Sequence, residues 1–547
     1  MDGNGGAAAA PQVEAFRQIV IWPLQLMPTP AGSAPWEVLL AEDGAHRWRE
    51  LEDDFPEDTT LYQERHYREF VAFLPHVQRF LYGERASRSG RATYGDSPIR
   101  IFRRDDVASV RVTPTSGAAP LTLRVVHVDL YFFYDVDVVI LVVEIEGTKL
   151  PLTTVQDVVY RFGRAYPAGW EADGTATNCF RSVEWLDAAG RTLAASDYQS
   201  RDKFMGSVCR HQTTAISSHW EFLLEPMAPS QSDGRALTRY RQLEFHRMPI
   251  MAWLAFDDPR RLTRADHMRL AFAGAPDRAE GLPYGEAFLA DFEKQFCYDR
   301  FHDPDRPGWT DTRILCSGQA FVVVGEAGRA LFADAERGFL AQFRHQFFLV
   351  GLVAHFHRAS LLMLSDRLVA TVSRLDPAKK ESVARFRHDI RVTLEIFLRF
   401  THRYYFSEIS DQAAVRDVFR LWSGHLGTER LYAELREEIN DMSSYLETDL
   451  LRRQAVTILQ LTVVTLFSQI GMLATGFLGM NIFGFAEAET SSKFTIFLMV
   501  LIPSALITFY TVLKARRLAA FLDALADERL GWKSKFAVLA GVWKKGV

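Results

Sequence analysis

Hydrophobic and polar positions follow two regimes along this chain. From about residue 13 to 325, short runs of β-branched and aromatic residues alternate with amphipathic stretches, the pattern of an α/β or α+β domain. RQIVIWPLQL predicts a strand, and LTLRVVHVDLYFFYDVDVVILVVEIEG over 121–147, broken by Asp135 and Asp137, predicts two or three more. LPLTTVQDVVYRFGRAYP reads as a helix, FRSVEWLD and RQLEFHRMPIMAWLAFDD as extended segments, and RILCSGQAFVVVGE over 313–326 as the last strand. Stretches around 84–120 and 226–236, which contain Pro and Gly, predict loops.

From about Gly328 the pattern turns helical and stays so. A first long helix is predicted near Ala330–Leu375, a break at DPAKK, and a second helix near Glu381–Tyr405. YYFSEISDQ interrupts again with Ser410 as the expected N-cap, and LWSGHLGT holds a glycine-containing bend. After Thr428 neither Pro nor Gly occurs until Gly471, which predicts one continuous helix of more than forty residues. The apolar stretch at 345–364 has the look of a membrane span, but His345, His355, His357 and Arg358 make it a buried helix of the soluble part.

Two later segments are different. Val456–Leu478 carries no charge for 23 positions, about 34 Å as a helix, which is enough for a bilayer core of about 30 Å. Phe494–Leu513 adds 20 uncharged positions, with Pro503 tolerable inside a bundled span. We therefore expect a transmembrane hairpin over 454–513, with spans at 454–480 and 494–513. Arg452 and Arg453 flank the first span and Lys514, Arg516 and Arg517 the second, whereas the loop carries Glu487 and Glu489 against Lys493. Basic flanks put both termini in the cytoplasm.

Composition narrows the remaining choices. The net charge of -5, from 63 basic and 68 acidic side chains, argues against a nucleic-acid binder driven by bulk basicity. Cys179, Cys209, Cys297 and Cys316 show no CxxC spacing and read as reduced thiols. The expected organisation is a flexible tail at 1–12 with no signal peptide, a cytoplasmic α/β domain at 13–325, a helical bundle with a stalk helix at 326–453, the hairpin, and a basic cytoplasmic tail at 514–547. No nucleophile, acid–base pair or nucleotide-binding glycine pattern points to an enzyme or an ATP-driven pump, and no cofactor is expected.

At the outer end of the first span stands Gly479-Met480-Asn481, after a long unbroken helix and before the second and last span. In this motif and context the chain resembles the CorA-type divalent metal-ion transporter family, over about residues 428–517 specifically and over the rest by architecture. The resemblance implies a CorA-like funnel and a homopentamer in which the first spans line one axial pore. It also implies that Asn481 meets the hydrated ion through its outer shell and that Gly479 allows close backbone approach. An amide ring suits Mg²⁺, which gives up its water reluctantly. The chain departs from the family in Leu478, where an aromatic residue is common, in Ala486-Glu487-Ala488, where Pro-Glu-Leu is common, and in its longer tail.

Stepping back from Asn481 by three or four residues gives a candidate pore stripe of Gly476, Met472, Gln469, Thr465, Leu461 and Ile458, with Ser468 as the alternative to Gln469. Glu487 and Glu489 would form an outer acidic ring, and Glu434, Glu437, Glu438, Asp441, Glu447 and Asp449 lie on the helix before the span. His345, His355 and His357 do not share a helical face and read as structural, as does the weaker group Cys209, His211 and His219. Trp532, Lys533, Lys535, Phe536, Trp543, Lys544 and Lys545 resemble an interfacial lipid anchor. The expected function is passage of divalent cations, Mg²⁺ first, across the inner (plasma) membrane. The alternatives are a Zn²⁺ or other transition-metal transporter, coupled or not to protons, and a membrane-anchored sensor or scaffold that does not conduct.

Overall fold

The computed structural model describes residues 11–29, 34–40, 47–51, 63–84, 97–133, 135–232, 238–276, 282–303, 305, 311–376, 379–479 and 489–526. Residues 1–10 of the tail expected at 1–12, residues 527–547 of the tail expected at 514–547, and Met480 to Ala488 of the predicted outer loop lie outside them, whereas Gln12 already belongs to a strand and 514–526 continue the last helix. The chain divides into two compact units, Met1–Arg436 and Glu437–Val547.

The first unit is built on one mixed sheet. Its principal strands are β1 (Gln12–Leu26), β2 (Ile99–Arg104), β3 (Ser109–Thr113), β4 (Leu121–Phe133), β5 (Val138–Pro151), β6 (Ser182–Leu186), β7 (Ile250–Phe256), β8 (Arg313–Cys316) and β9 (Ala320–Glu326). They lie in the order β8-β9-β7-β1-β5-β4-β3-β6, and β2 pairs with the far half of β4. β7 and β9 run parallel, and every other pairing in that order is antiparallel.

The run VVILVVEI of β5 is apolar without alternation because the sheet is covered on both faces. Val139, Leu141, Val143 and Ile145 join the main core, and Val138, Ile140 and Val142 are equally buried on the opposite face. The turn at Asp135 and Asp137 separates β4 from β5 as the sequence predicts, and RILCSGQAFVVVGE forms two strands around Ser317–Gln319. The 84–120 stretch is not all loop. It contains β2 and β3, whose short IRIFRR and SVRVT patterns set apolar residues against arginines and which take their places in the sheet beside β4.

The helices that matter below are α1 (Glu64–Val71), α2 (Pro75–Tyr82), α3 (Leu152–Arg161), α4 (Phe348–Ser373), α5 (Lys380–Arg399), α6 (Ala413–Leu426), α7 (Thr428–Gly479) and α8 (Thr490–Ala526). The helix expected over Ala330–Leu375 is interrupted. A short turn ends at Ala333, Phe339–Gln342 starts again, and a π turn at Phe343–Phe347 leads into α4. Gly338 explains the restart, since a Cβ there would come within 2.8 Å of the Leu331 and Asp334 carbonyl oxygens. Ser410 is not the N-cap of α6, which is Gln412. Its hydroxyl instead accepts the Gln412 N–H at 3.0 Å and donates to the Ala72 carbonyl. Gly424 lies inside α6, and Gly427 alone ends it with φ of 66°.

Phe339–Ser373 is long and apolar enough to cross a membrane, yet 83% of its most apolar window is buried within the fold. It is apolar all round because it is covered all round. Phe356 stacks on Phe133 of the sheet at 3.9 Å, and Gly351 faces Trp422 of α6. The reading of this segment as a buried helix therefore holds. Thr490–Ile507, by contrast, is long and apolar enough to cross a membrane and has none of its window buried.

Candidate ion pathway

α7 is a single helix of 52 residues, and α8 follows with 37 residues that continue through Pro503. No helix-breaking residue precedes Gly471 in α7, and three threonines of the two helices turn their hydroxyls back onto the chain. Thr462 donates to the Ile458 carbonyl at 2.9 Å, Thr475 to Gly471 at 3.0 Å and Thr495 to Ser491 at 2.8 Å. Such bonds satisfy a hydroxyl without water, which suits an apolar surrounding.

α7 has two distinct faces in this unit. Leu459, Gln460, Val463, Val464, Gly471 and Thr475 are buried or half-buried, and a Cβ on Gly471 would lie 3.6 Å from Ser504 Cβ of α8. Ile458, Leu461, Thr465, Gln469, Met472, Gly476 and Gly479 are all exposed. At about 100° of rotation per residue the centres of the two sets lie about 145° apart. α8 thus packs on one side of α7, and the whole candidate stripe, with Ser468 beside it, looks away from it. Met472 is 71% exposed, and no atom of the described residues lies within 4 Å of a Cβ built on Gly476.

Of the predicted filter, Gly479 is the last residue of α7, while Met480, Asn481 and Glu487 lie outside the described residues. Glu489 is exposed just before α8. On the earlier part of α7, Glu434, Glu437, Glu438, Asp441 and Glu447 are exposed, and Glu434 accepts from Arg430 Nε at 3.0 Å. The side chain of Asp449 is outside the described set.

The histidines behave as structural groups. His357 Nε2 donates to the Tyr404 carbonyl at 2.6 Å, and burial lowers its pKa to about 4. His355 packs edge-on to Trp422, with its pKa lowered by burial to about 3. His345 pairs with Glu69 at 2.8 Å. His219 is buried 3.0 Å from Ser217 Oγ, whereas Cys209 and His211 are exposed. All four cysteines are free thiols. Among the described residues no group of three or more His, Cys, Asp or Glu side chains is arranged to hold a metal ion.

One polar cluster was not foreseen. His127 and Asp129 on β4 share a sheet face with Glu144, which pairs with His127 across β5. Glu144 accepts from Arg17 at 2.8 Å and from Arg344 at 3.0 Å, and lies 2.9 Å from His127 Nε2. Asp129 accepts both Nε and Nη2 of Arg103. Burial opposes charge on His127, but Asp129 and Glu144 outweigh it and raise its pKa to about 9. The available signal was the His-x-Asp spacing inside an otherwise apolar strand.

No family model, curated protein or solved structure matches this chain.

Proposed function

We propose that the protein is a homopentameric, CorA-like channel for hydrated divalent cations, Mg²⁺ first, in the inner (plasma) membrane. α7 and α8 would form a membrane-spanning hairpin, and the α7 stripe would line the pore. The observation that carries this reading is the separation of faces on α7: the residues chosen as pore-lining are exposed together, opposite the side that Gly471 presents to Ser504. A lone pair of spans would leave Thr465, Gln469 and two glycines facing lipid. Five copies arranged about an axis would enclose them instead. Small and polar residues at helix–helix interfaces are the usual means of close packing in lipid, and here they occur on both sides of the same helix.

Along the stripe, Thr465 and Gln469 offer hydroxyl and amide groups to a hydrated ion, and Leu461 and Ile458 form apolar rings suited to gating by dewetting. Asn481 would hold the outer hydration shell, and Glu487 and Glu489 would concentrate cations outside. The exposed carboxylates Glu437, Glu438, Asp441 and Glu447 on the same helix would do so at the inner side. Ions would run down their electrochemical gradient without ATP.

The test is uptake of Mg²⁺, Zn²⁺, Co²⁺ and Ni²⁺ by proteoliposomes holding the native protein, with subunit number counted by native mass spectrometry. Pentamers that pass Mg²⁺ are expected. Correctly assembled protein that passes none of the four ions would overturn the reading.

A further inference from the structure

The first unit contains a cavity of about 930 Å³, within the range of small-molecule sites. Its walls come from α1, β2, β4, the π turn and the start of α4, and they divide into a charged part and an apolar part. Arg65, Arg100, Arg103 and Arg344 bring guanidinium groups to it, and Phe348, Leu349 and Leu352 give it an apolar side. The π turn matters here, because one extra residue in the turn sets Arg344 and His345, neighbours in sequence, both on the cavity wall. π turns recur at functional sites.

The floor holds more positive than negative charge. Arg17, Arg103 and Arg344 converge on only two carboxylates, Asp129 and Glu144, each 1% exposed. Arg17 also reaches Glu146, but Arg124 balances that carboxylate. The excess is one positive charge before His127 is counted and two with His127 protonated. Asp129 occupies Nε and Nη2 of Arg103, and Glu144 occupies Nε and Nη2 of Arg344. These bonds leave Nη1 of each guanidinium beyond its carboxylate. At the rim Glu50, Glu69 and Glu84 face Arg65 and Arg100, with Arg100 on Glu50 at 2.8 Å and His345 on Glu69. Two rim atoms, Arg65 Nε and Glu84 Oε2, are buried with no hydrogen-bond partner among the described residues. An unmet buried donor or acceptor has lost its water without a replacement, so a ligand that meets it gains by it.

We propose that this cavity binds a small organic phosphate monoester, its dianionic group against Arg103 and Arg344 and its organic body against Phe348 and Leu352. Guanidinium groups match phosphate oxygens in pairs, which a point charge does not. The unmet Glu84 carboxylate oxygen asks for an O–H or N–H on that body, and a nucleoside or sugar supplies one. Inorganic phosphate shares the charge but neither the body nor the donor. The proposal is independent of ion conduction and stands or falls without it.

The test uses the full-length protein in detergent with EDTA present, titrated calorimetrically with AMP, glucose 6-phosphate and inorganic phosphate. A monoester should bind at least tenfold tighter than inorganic phosphate. Arg344→Gln should weaken it tenfold or more, and Arg65→Gln, at the rim and clear of the buried network, should weaken it severalfold in a protein of native thermal stability. Leu352→Trp, which fills the apolar side, should abolish monoester binding and spare that of inorganic phosphate. Absence of binding of all three probes to the native protein would overturn the proposal. So would monoester binding left unchanged by both Arg65→Gln and Leu352→Trp.

Discussion

Replacing Glu144 by glutamine removes one charge from the centre of the sheet while keeping its volume. Glu144 Oε1 accepts from Arg17 Nη1 at 2.8 Å and Arg344 Nε at 3.0 Å, and Oε2 accepts from Arg344 Nη2 at 3.1 Å and sits 2.9 Å from His127 Nε2. Both oxygens face donors, so either orientation of the new amide sets N–H against N–H. Removing one partner of a buried ion pair costs about 3–5 kcal/mol. Arg17 and Arg344 are 19% and 28% exposed and can recover some water, which puts the expected loss near the lower end, about 3 kcal/mol. The assay is urea unfolding of the full-length protein in detergent, followed by fluorescence of the buried Trp22, Trp185 and Trp220. Burial works against the Glu144 carboxylate, yet His127, Arg344 and Arg17 hold its pKa well below the ordinary value of 4.5. Its stabilisation is therefore present above about pH 4.5 and is lost as pH falls through the folded-state value. The gap between native protein and variant should be full at pH 7 and shrink in acid. A loss below about 1 kcal/mol at pH 7, or a gap that does not shrink, would refute the reasoning.

Three further outcomes are expected. The raised pKa of His127, about 9 against an ordinary 6.5, gives stability that is complete below pH 6.5 and lost as pH rises through 9; the urea-unfolding gap between native protein and His127→Gln should narrow over that interval, and a constant gap speaks against it. Gly351→Ala would place a methyl 2.5 Å from Trp422 Cη2, and Trp422 is held by Phe321, stacked at 4.7 Å. Overpacking of about 1–3 kcal/mol against a helix-propensity gain of about 1 kcal/mol predicts a net loss of about 1 kcal/mol, and of no more than about 2 kcal/mol, in the same unfolding assay. Gly471→Leu should lower thermal stability in detergent by forcing α7 from Ser504, whereas Gly476→Leu should leave it near native and block ion flux. Native flux through Gly476→Leu would remove the stripe from the pore.

Much of the fold was legible because it is written in local pattern. The unbroken apolar run of β5, the Asp135–Asp137 turn and the Gly-free stretch after Thr428 each announce their element without help from distant residues. β2 and β3 escape a local reading because IRIFRR is half arginine and SVRVT only five residues long, and both gain strand character from distant partners, β4 among them. The restart at Gly338 and the π turn were hidden as well, since a helix pattern carries no sign of where a carbonyl leaves no room for a Cβ. At the candidate pathway, helical periodicity alone selected a stripe that is exposed as one face. The charge cluster around Glu144 escaped because Arg17, Arg103, His127 and Arg344 come from four separate segments, brought together by the sheet register and by the π turn packed over it.

The central claim is that Asn481 selects ions at the mouth of a pore lined by α7. The decisive experiment is Mg²⁺ influx into proteoliposomes, measured side by side for native protein and Asn481→Ala at equal protein content. Robust native influx and its loss in Asn481→Ala are expected. Equal influx in the two would contradict it.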